Sequence, residues 1–183
     1  MSAAVFRSPL LSLALVLAVS GSLTGPGSAQ ISPFSQSLAV AAAKDDDLAA
    51  FYAARGYAPL WTGPEDAERR NILLFAFSNA QSHGLPVQRY DANALAAAFR
   101  AAATEGDRGR LELRMTRAYL DYVHDLHGGV LEAKKIDPQL VRSLPRIAPD
   151  QALAALTGPD LAGFLADLAP KSASYTQLLK GKL

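Results

Sequence analysis

The chain contains no cysteine. It can therefore form no disulfide, carries no lipid on an N-terminal cysteine, and has neither a thiol nucleophile nor a thiolate metal ligand. An excess of one charge is also missing. Arg7 is the only charged residue among the first 29, so the remainder holds 17 Lys and Arg against 17 Asp and Glu. Such a neutral body offers no electrostatic reason to bind nucleic acid or an anionic membrane surface.

Long hydrophobic runs are confined to the first 29 residues. Arg7 precedes an apolar run from Leu10 to Val19, and small residues at positions 27–29 end the segment. This order is typical of a cleavable export signal. A membrane anchor is the alternative, but the run has about ten residues and crossing the hydrocarbon core takes about 20. We expect a signal peptide at residues 1–29, cleavage near Ala29, and no membrane span in the mature chain.

Strand-like alternation of β-branched residues is absent from Ile31 onward. The sequence predicts an all-α fold, an irregular bundle of about six to eight helices with one long central amphipathic helix. That helix is expected from about Arg108 to Leu126, where apolar residues recur at steps of three and four. Its predicted apolar face comprises Leu111, Met115, Ala118, Tyr119, Tyr122, Val123 and Leu126. Its predicted solvated face comprises Glu112, Arg114, Arg117, Asp121 and Asp125.

Start and stop signals divide the rest of the chain. Asp45 or Asp46 can cap a helix that Gly56 ends, and an extended stretch is expected over residues 57–61. A helix should then run from residues 62–66 to about Ser82. Asp91 can cap the next helix, and Gly106 is expected to end it. Later starts are predicted at Asp137-Pro138, Pro149-Asp150, Pro159-Asp160 and Lys171-Ser172.

Two aromatic residues of the predicted extended stretch are candidate contact residues. Trp61, the only tryptophan, lies close to Tyr57 in the sequence, and aromatic rings in such a connection can stack on sugars or anchor a partner loop. Packing of Trp61 in the core or against another domain is the alternative, and we favour it because a tryptophan buries a large apolar area.

No metal site, acid–base pair or cofactor site is assigned. His124 and His127, with Asp121 and Asp125 beside them, could present ligands to one metal ion, but a third firm ligand is not evident. We favour polar residues on a solvated helix face. The acids at positions 45–47 are interpreted as capping residues, since neighbours at a helix start point in different directions. No glycine-rich segment has the form of a phosphate-binding loop before a helix.

Four strings, in order, resemble the helical scaffold domain that precedes the catalytic module in the L,D-transpeptidases of Gram-negative bacteria. They are FYAARGYAPLW at 51–61, HGLPVQRYD at 83–91, LELRMTRAYLDYVHDLHGGVLEAKKID at 111–137 and PKSASYTQL at 170–178. The resemblance implies a lead-in at residues 30–47, a scaffold-like domain at 48–183, a periplasmic location and a role in peptidoglycan cross-linking. It also implies a catalytic module as partner, in cis or in trans, with peptidoglycan as a second candidate partner.

The chain departs from that family where the chemistry would be. The family forms an acyl-enzyme on a cysteine within a Ser-His-Gly-Cys-type segment, whereas Ser82-His83-Gly84-Leu85 places leucine at the position of the nucleophile. Leucine cannot attack a carbonyl, and this segment is better interpreted as a helix end and a turn. We therefore expect no catalysis from the chain itself, and a fragment or relic of a larger enzyme.

Two other functions remain open at this point. One is an autonomous cell-wall binding module that holds glycan strands through Tyr57 and Trp61. The other is an independent hydrolase or transferase that uses groups not recognised in the sequence.

Overall fold

The computed structural model describes residues 31–131 and 146–182. The predicted signal peptide and the predicted helix start at Asp137-Pro138 lie outside the described residues. Within them the chain is helical without a strand, which confirms the all-α prediction. Its helices are α1 (Pro33–Ala42), α2 (Asp46–Ala54), α3 (Ala67–Ser78), α4 (Ala92–Ala101), α5 (Glu105–Gly128), α6 (Pro149–Thr157), α7 (Leu161–Asp167) and α8 (Ala173–Lys182). Short 3₁₀ turns cover Pro64–Asp66, Ala80–His83 and Val87–Tyr90. None of these helices is both long enough and apolar enough to span a bilayer.

The long helix α5 is the central element of the bundle. Thr104 caps it, because its hydroxyl accepts the Asp107 amide while the Asp107 carboxylate accepts the Thr104 amide. All but one of the residues predicted for its apolar face are buried; Ala118 is half-buried. The hydroxyl of Tyr119 donates to the carbonyl of Ala152 at 2.7 Å, which ties α6 to this helix.

Helix α1 packs closely along the first turns of α5. Leu38 and Ala42 of α1 are fully buried there. The contact is closest at Gly109, where an added Cβ would lie 2.5 Å from the carbonyl oxygen of Phe34 and 3.0 Å from the Leu38 nitrogen. Only glycine fits at this crossing. Residues 31–44 therefore share one compact unit and one core with the helices that follow.

Several predicted boundaries are confirmed. Asp45 and Asp91 cap α2 and α4, and Asp160 caps α7. Gly56 and Gly84 have left-handed φ angles of 59° and 79° after the helical segments that they end.

Three local predictions are wrong. Residue Tyr57 is not extended but left-handed, with φ of 58°, because the turn that ends α2 takes two successive left-handed residues. The helix predicted to continue to Ser82 stops at Ser78, and the chain tightens into a separate 3₁₀ turn after Asn79. Gly106 does not end α4; it lies within α5, because the Thr104 cap starts that helix earlier than the apolar pattern indicated.

The most consequential correction concerns the polar face of α5. Glu112 and Asp125, which we predicted to be solvated, are 0% and 2% exposed. A buried carboxylate requires hydrogen-bond partners, so each of these residues marks a place where α5 organises another part of the chain.

Candidate functional site

Glu112 holds residues 57–63 of the connection between α2 and α3, which we call the connecting segment. Its Oε1 accepts the Leu60 amide at 2.6 Å, and its Oε2 accepts the Trp61 and Thr62 amides at 3.1 and 3.0 Å. The Thr62 hydroxyl adds a bond of 2.8 Å to Oε2. Three consecutive backbone amides that belong to no helix are thereby satisfied by one side chain.

A chain of hydrogen bonds between buried side chains leads to the same carboxylate. The indole Nε1 of Trp61 donates to the Thr116 hydroxyl at 2.8 Å, which lies 2.6 Å from the Tyr52 hydroxyl. Tyr52 in turn donates to Oε1 of Glu112 at 3.1 Å. When Tyr52 donates to Glu112, the bonds run from Trp61 through Thr116 and Tyr52 to Glu112, so each member orients the next. The Thr116 hydroxyl also lies 3.2 Å from the backbone carbonyl oxygen of Glu112, a second acceptor.

Two arginines of α3 hold the carbonyl groups of the connecting segment. Arg69 Nη1 donates to the Leu60 carbonyl at 2.9 Å, and Arg70 Nη1 donates to the Trp61 carbonyl at 2.5 Å. The amides of Leu60 and Trp61 therefore point to Glu112, and the carbonyls of Leu60 and Trp61 point to the two arginines. The connecting segment is therefore fixed on both sides without secondary structure of its own.

The electrostatics of Glu112 are those of a structural carboxylate. Burial raises the pKa of Glu112, and the hydrogen bonds from Leu60, Trp61 and Thr62 act in the opposite direction. A buried carboxyl with a perturbed pKa is often a sign of catalysis. Here both oxygens are occupied by donors of the chain and the side chain has no exposed surface, so a substrate cannot reach it.

The two candidate contact residues differ in accessibility. Trp61 is 0% exposed, and its ring centroid lies 6.0 Å from that of Tyr119. This burial favours the packing interpretation, because a fully enclosed indole offers no face to a sugar. Tyr57 is half-buried and is the accessible member of the pair.

Asp125 forms a second buried centre, near the other end of α5. Its Oδ2 accepts the Tyr90 hydroxyl and lies 3.2 Å from Arg89 Nε, while its Oδ1 lies 3.0 Å from His124 Nδ1. These partners tie the 3₁₀ turn Val87–Tyr90 to α5. Tyr90, Arg89 and His124 also occupy the Asp125 carboxylate, which was a candidate ligand for a metal ion held by His124 and His127. No group of three or more metal-ligating side chains is found in the part of the chain that the structure describes.

The remaining sequence candidates have local structural roles. Asp45 accepts the Leu48 amide at 3.2 Å as a helix cap, as predicted for this acidic cluster. Ser82-His83-Gly84-Leu85 forms a 3₁₀ end and a left-handed turn, and Leu85 is 6% exposed. His83 Nδ1 lies 3.2 Å from the Tyr175 hydroxyl, so this turn contacts α8.

A model of one protein family, described as Scaffold domain, matches residues 46–181, which is more than half of the chain. Neither a curated protein nor a solved structure gave a match.

Proposed function

The chain belongs to the Scaffold domain family, and from this match together with the four strings that resemble the transpeptidase scaffold we propose that it is the non-catalytic scaffold of an L,D-transpeptidase-type protein that acts in peptidoglycan cross-linking in the periplasm. It would present a rigid helical surface to a cysteine-bearing catalytic module, in cis or in trans. The family match over residues 46–181 is the observation that carries the scaffold role.

Three observations support a structural role for the chain. It contains no cysteine, so it cannot form a thioester intermediate. In the described part of the chain two carboxylates are buried, Glu112 and Asp125, and each has partners within the chain on both of its oxygens. The non-helical connecting segment is fixed by Glu112, Arg69 and Arg70. A rigid connection of this kind keeps the arrangement of the surrounding helices constant. The four strings that resemble the transpeptidase scaffold support the more specific link to that enzyme.

Calorimetric titration of a purified L,D-transpeptidase catalytic module with the chain tests this proposal. We expect saturable binding with a negative heat-capacity change, since a docked module buries apolar surface. A chain that binds neither this module nor sacculi would contradict the proposal.

An autonomous glycan-binding module is the second candidate, and the observation that favours it is that Tyr57, unlike Trp61, is only partly buried. The variant Tyr57→Asn removes the ring while asparagine tolerates the left-handed backbone. If the glycan function is correct, this variant loses retention on purified sacculi. Equal retention of the variant and the parent chain would exclude contact through Tyr57.

A further inference from the structure

A cleft of about 430 Å³ opens beside the connecting segment, between α3, α4 and α5. This volume lies within the range of small-ligand pockets. The residues that give the cleft its chemistry are Thr62, Arg70, Phe99, Arg108 and Leu111. The described residues that line it include two arginines and no carboxylate, so the cleft is suited to an anion.

Arg70 is held in place by neutral groups. Its Nη1 donates to the Trp61 carbonyl at 2.5 Å and lies 3.4 Å from the Gly63 carbonyl. Its guanidinium carbon lies 4.7 Å from the ring centroid of Phe99, in cation–π contact. Among residues 31–131 and 146–182, no carboxylate forms an ion pair with Arg70.

The other edge of the same guanidinium has no acceptor among the described residues. Only Nη1 of Arg70 donates to an acceptor of these residues, and neither Nε nor Nη2 is among their buried polar atoms without a partner. No group of the described residues therefore occupies Nε and Nη2. They form the edge that binds both oxygens of a carboxylate through two parallel hydrogen bonds.

Arg108 adds a second cation at the rim of the cleft. Its Nη1 lies 2.9 Å from Glu105 Oε1, and both side chains are about half exposed, at 49% and 53%. Water screens such a pair, so Glu105 offsets the charge of Arg108 only in part. Phe99 and Leu111 provide apolar surface for a group attached to the anion.

We propose that this cleft binds the carboxylate of a short peptide, with Arg70 as its bidentate partner and Arg108 as the second cation. The carboxylate can be a peptide terminus or an aspartate side chain, because both present the same two oxygens. The residues that line the cleft provide this site by themselves, so the site does not depend on the link to transpeptidases.

Backbone amide NMR of the full chain with three peptide probes tests the proposal. The probes are acetyl-Ala-Ala as the free acid, acetyl-Ala-Ala amide, and acetyl-Ala-Asp-Ala amide. We expect the free acid, the aspartate peptide or both to shift the amide resonances of Thr62, Gly63 and Arg108, and the uncharged amide to leave them unchanged. The responding probe identifies the source of the carboxylate. No shift with either acidic probe, or equal shifts with the uncharged amide, would overturn the proposal.

Charge substitutions complete the test. Arg108→Gln should weaken binding about threefold, and Arg70→Lys, which keeps the charge but loses the planar edge, about tenfold. Arg110→Gln is the matched control, since Arg110 is 63% exposed, pairs with Asp107 and does not line this cleft. Because Arg70 also holds the connecting segment, thermal melting must show that its variant is folded. If Arg70→Lys does not fold, Arg108→Gln decides. Unchanged affinity of Arg108→Gln for the responding peptide contradicts the proposal.

Discussion

The Glu112 carboxylate accepts the backbone amide of Leu60 at 2.6 Å and so joins two residues that are 52 positions apart in the sequence. No exposed surface remains on the Glu112 side chain. The contact fixes the connecting segment against α5. The conformation of that segment is therefore determined by a tertiary contact and not by local sequence preference.

Replacement of Glu112 by glutamine should destabilise the fold. The variant keeps the size of the side chain but turns an NH₂ group toward amides that are themselves donors, and buried donors are left unpaired. We expect the free energy of unfolding to fall by about 2–4 kcal/mol in urea denaturation. Glu105→Gln is the control on the same helix, because its ion pair is exposed and should contribute at most about 1 kcal/mol. Equal effects of the two substitutions would show that Glu112 is not the organising residue.

Thr116 and Tyr52 should behave as coupled residues. Thr116→Val keeps the shape of the side chain but leaves the Trp61 indole without its acceptor and removes the contact to Tyr52, at a cost of about 1–3 kcal/mol. Tyr52→Phe removes the other hydroxyl of the Thr116–Tyr52 contact, so the double variant loses that contact only once. The double variant should therefore be less destabilised than the sum of the single variants, by about 0.5 kcal/mol or more. Simple additivity in a double-mutant cycle would mean that the hydrogen-bond chain is not cooperative.

The crossing of α1 and α5 depends on Gly109. A methyl group there would collide with backbone atoms of α1, so Gly109→Ala should lower stability by about 1–3 kcal/mol. Gly106→Ala is the matched comparison three residues earlier, because its added methyl group would lie 3.6 Å from the nearest atom, in a flexible arginine side chain. That variant should be neutral or stabilised by up to about 1 kcal/mol, since alanine favours helix. Chemical denaturation of both variants checks the prediction, and the reverse order of stability would disprove the close approach.

His83 should make stability fall on mild acidification. Burial lowers the pKa of His83 below its ordinary value of 6.5, so between the two values the unfolded chain binds more protons than the folded chain. The contribution of neutral His83 to the free energy of unfolding is fully present above about pH 6.5. This contribution is lost as the pH falls through the lower, folded-state pKa. Unfolding free energies measured between about pH 5.5 and pH 7.5 should show this slope, and His83→Gln should reduce it. An unchanged slope in the variant would assign the effect to other groups.

The elements that short-range signals determine could be predicted from the sequence. The caps at Asp45, Asp91 and Asp160 and the left-handed residues Gly56 and Gly84 follow from local chemistry, as does the apolar stripe of α5. Gly106 was misassigned because the Thr104–Asp107 capping box starts α5 before its apolar pattern begins.

The burial of Glu112 and Asp125 was not predicted from the sequence, because a charged carboxylate is expected to lie at the surface. Helical spacing does indicate the burial of Glu112. Steps of four, three and four residues separate Glu112, Thr116, Tyr119 and Val123. That spacing places Glu112 on a buried face. Its partners could not be predicted, because Leu60 and Trp61 reach it through the tertiary fold.

The most direct test of the scaffold account is to incubate the purified chain with muropeptides and to analyse the products by mass spectrometry. The account predicts no new cross-links from the chain alone, because it has no cysteine to carry an acyl group. New links between diaminopimelate residues, formed by the chain without a catalytic module, would contradict it.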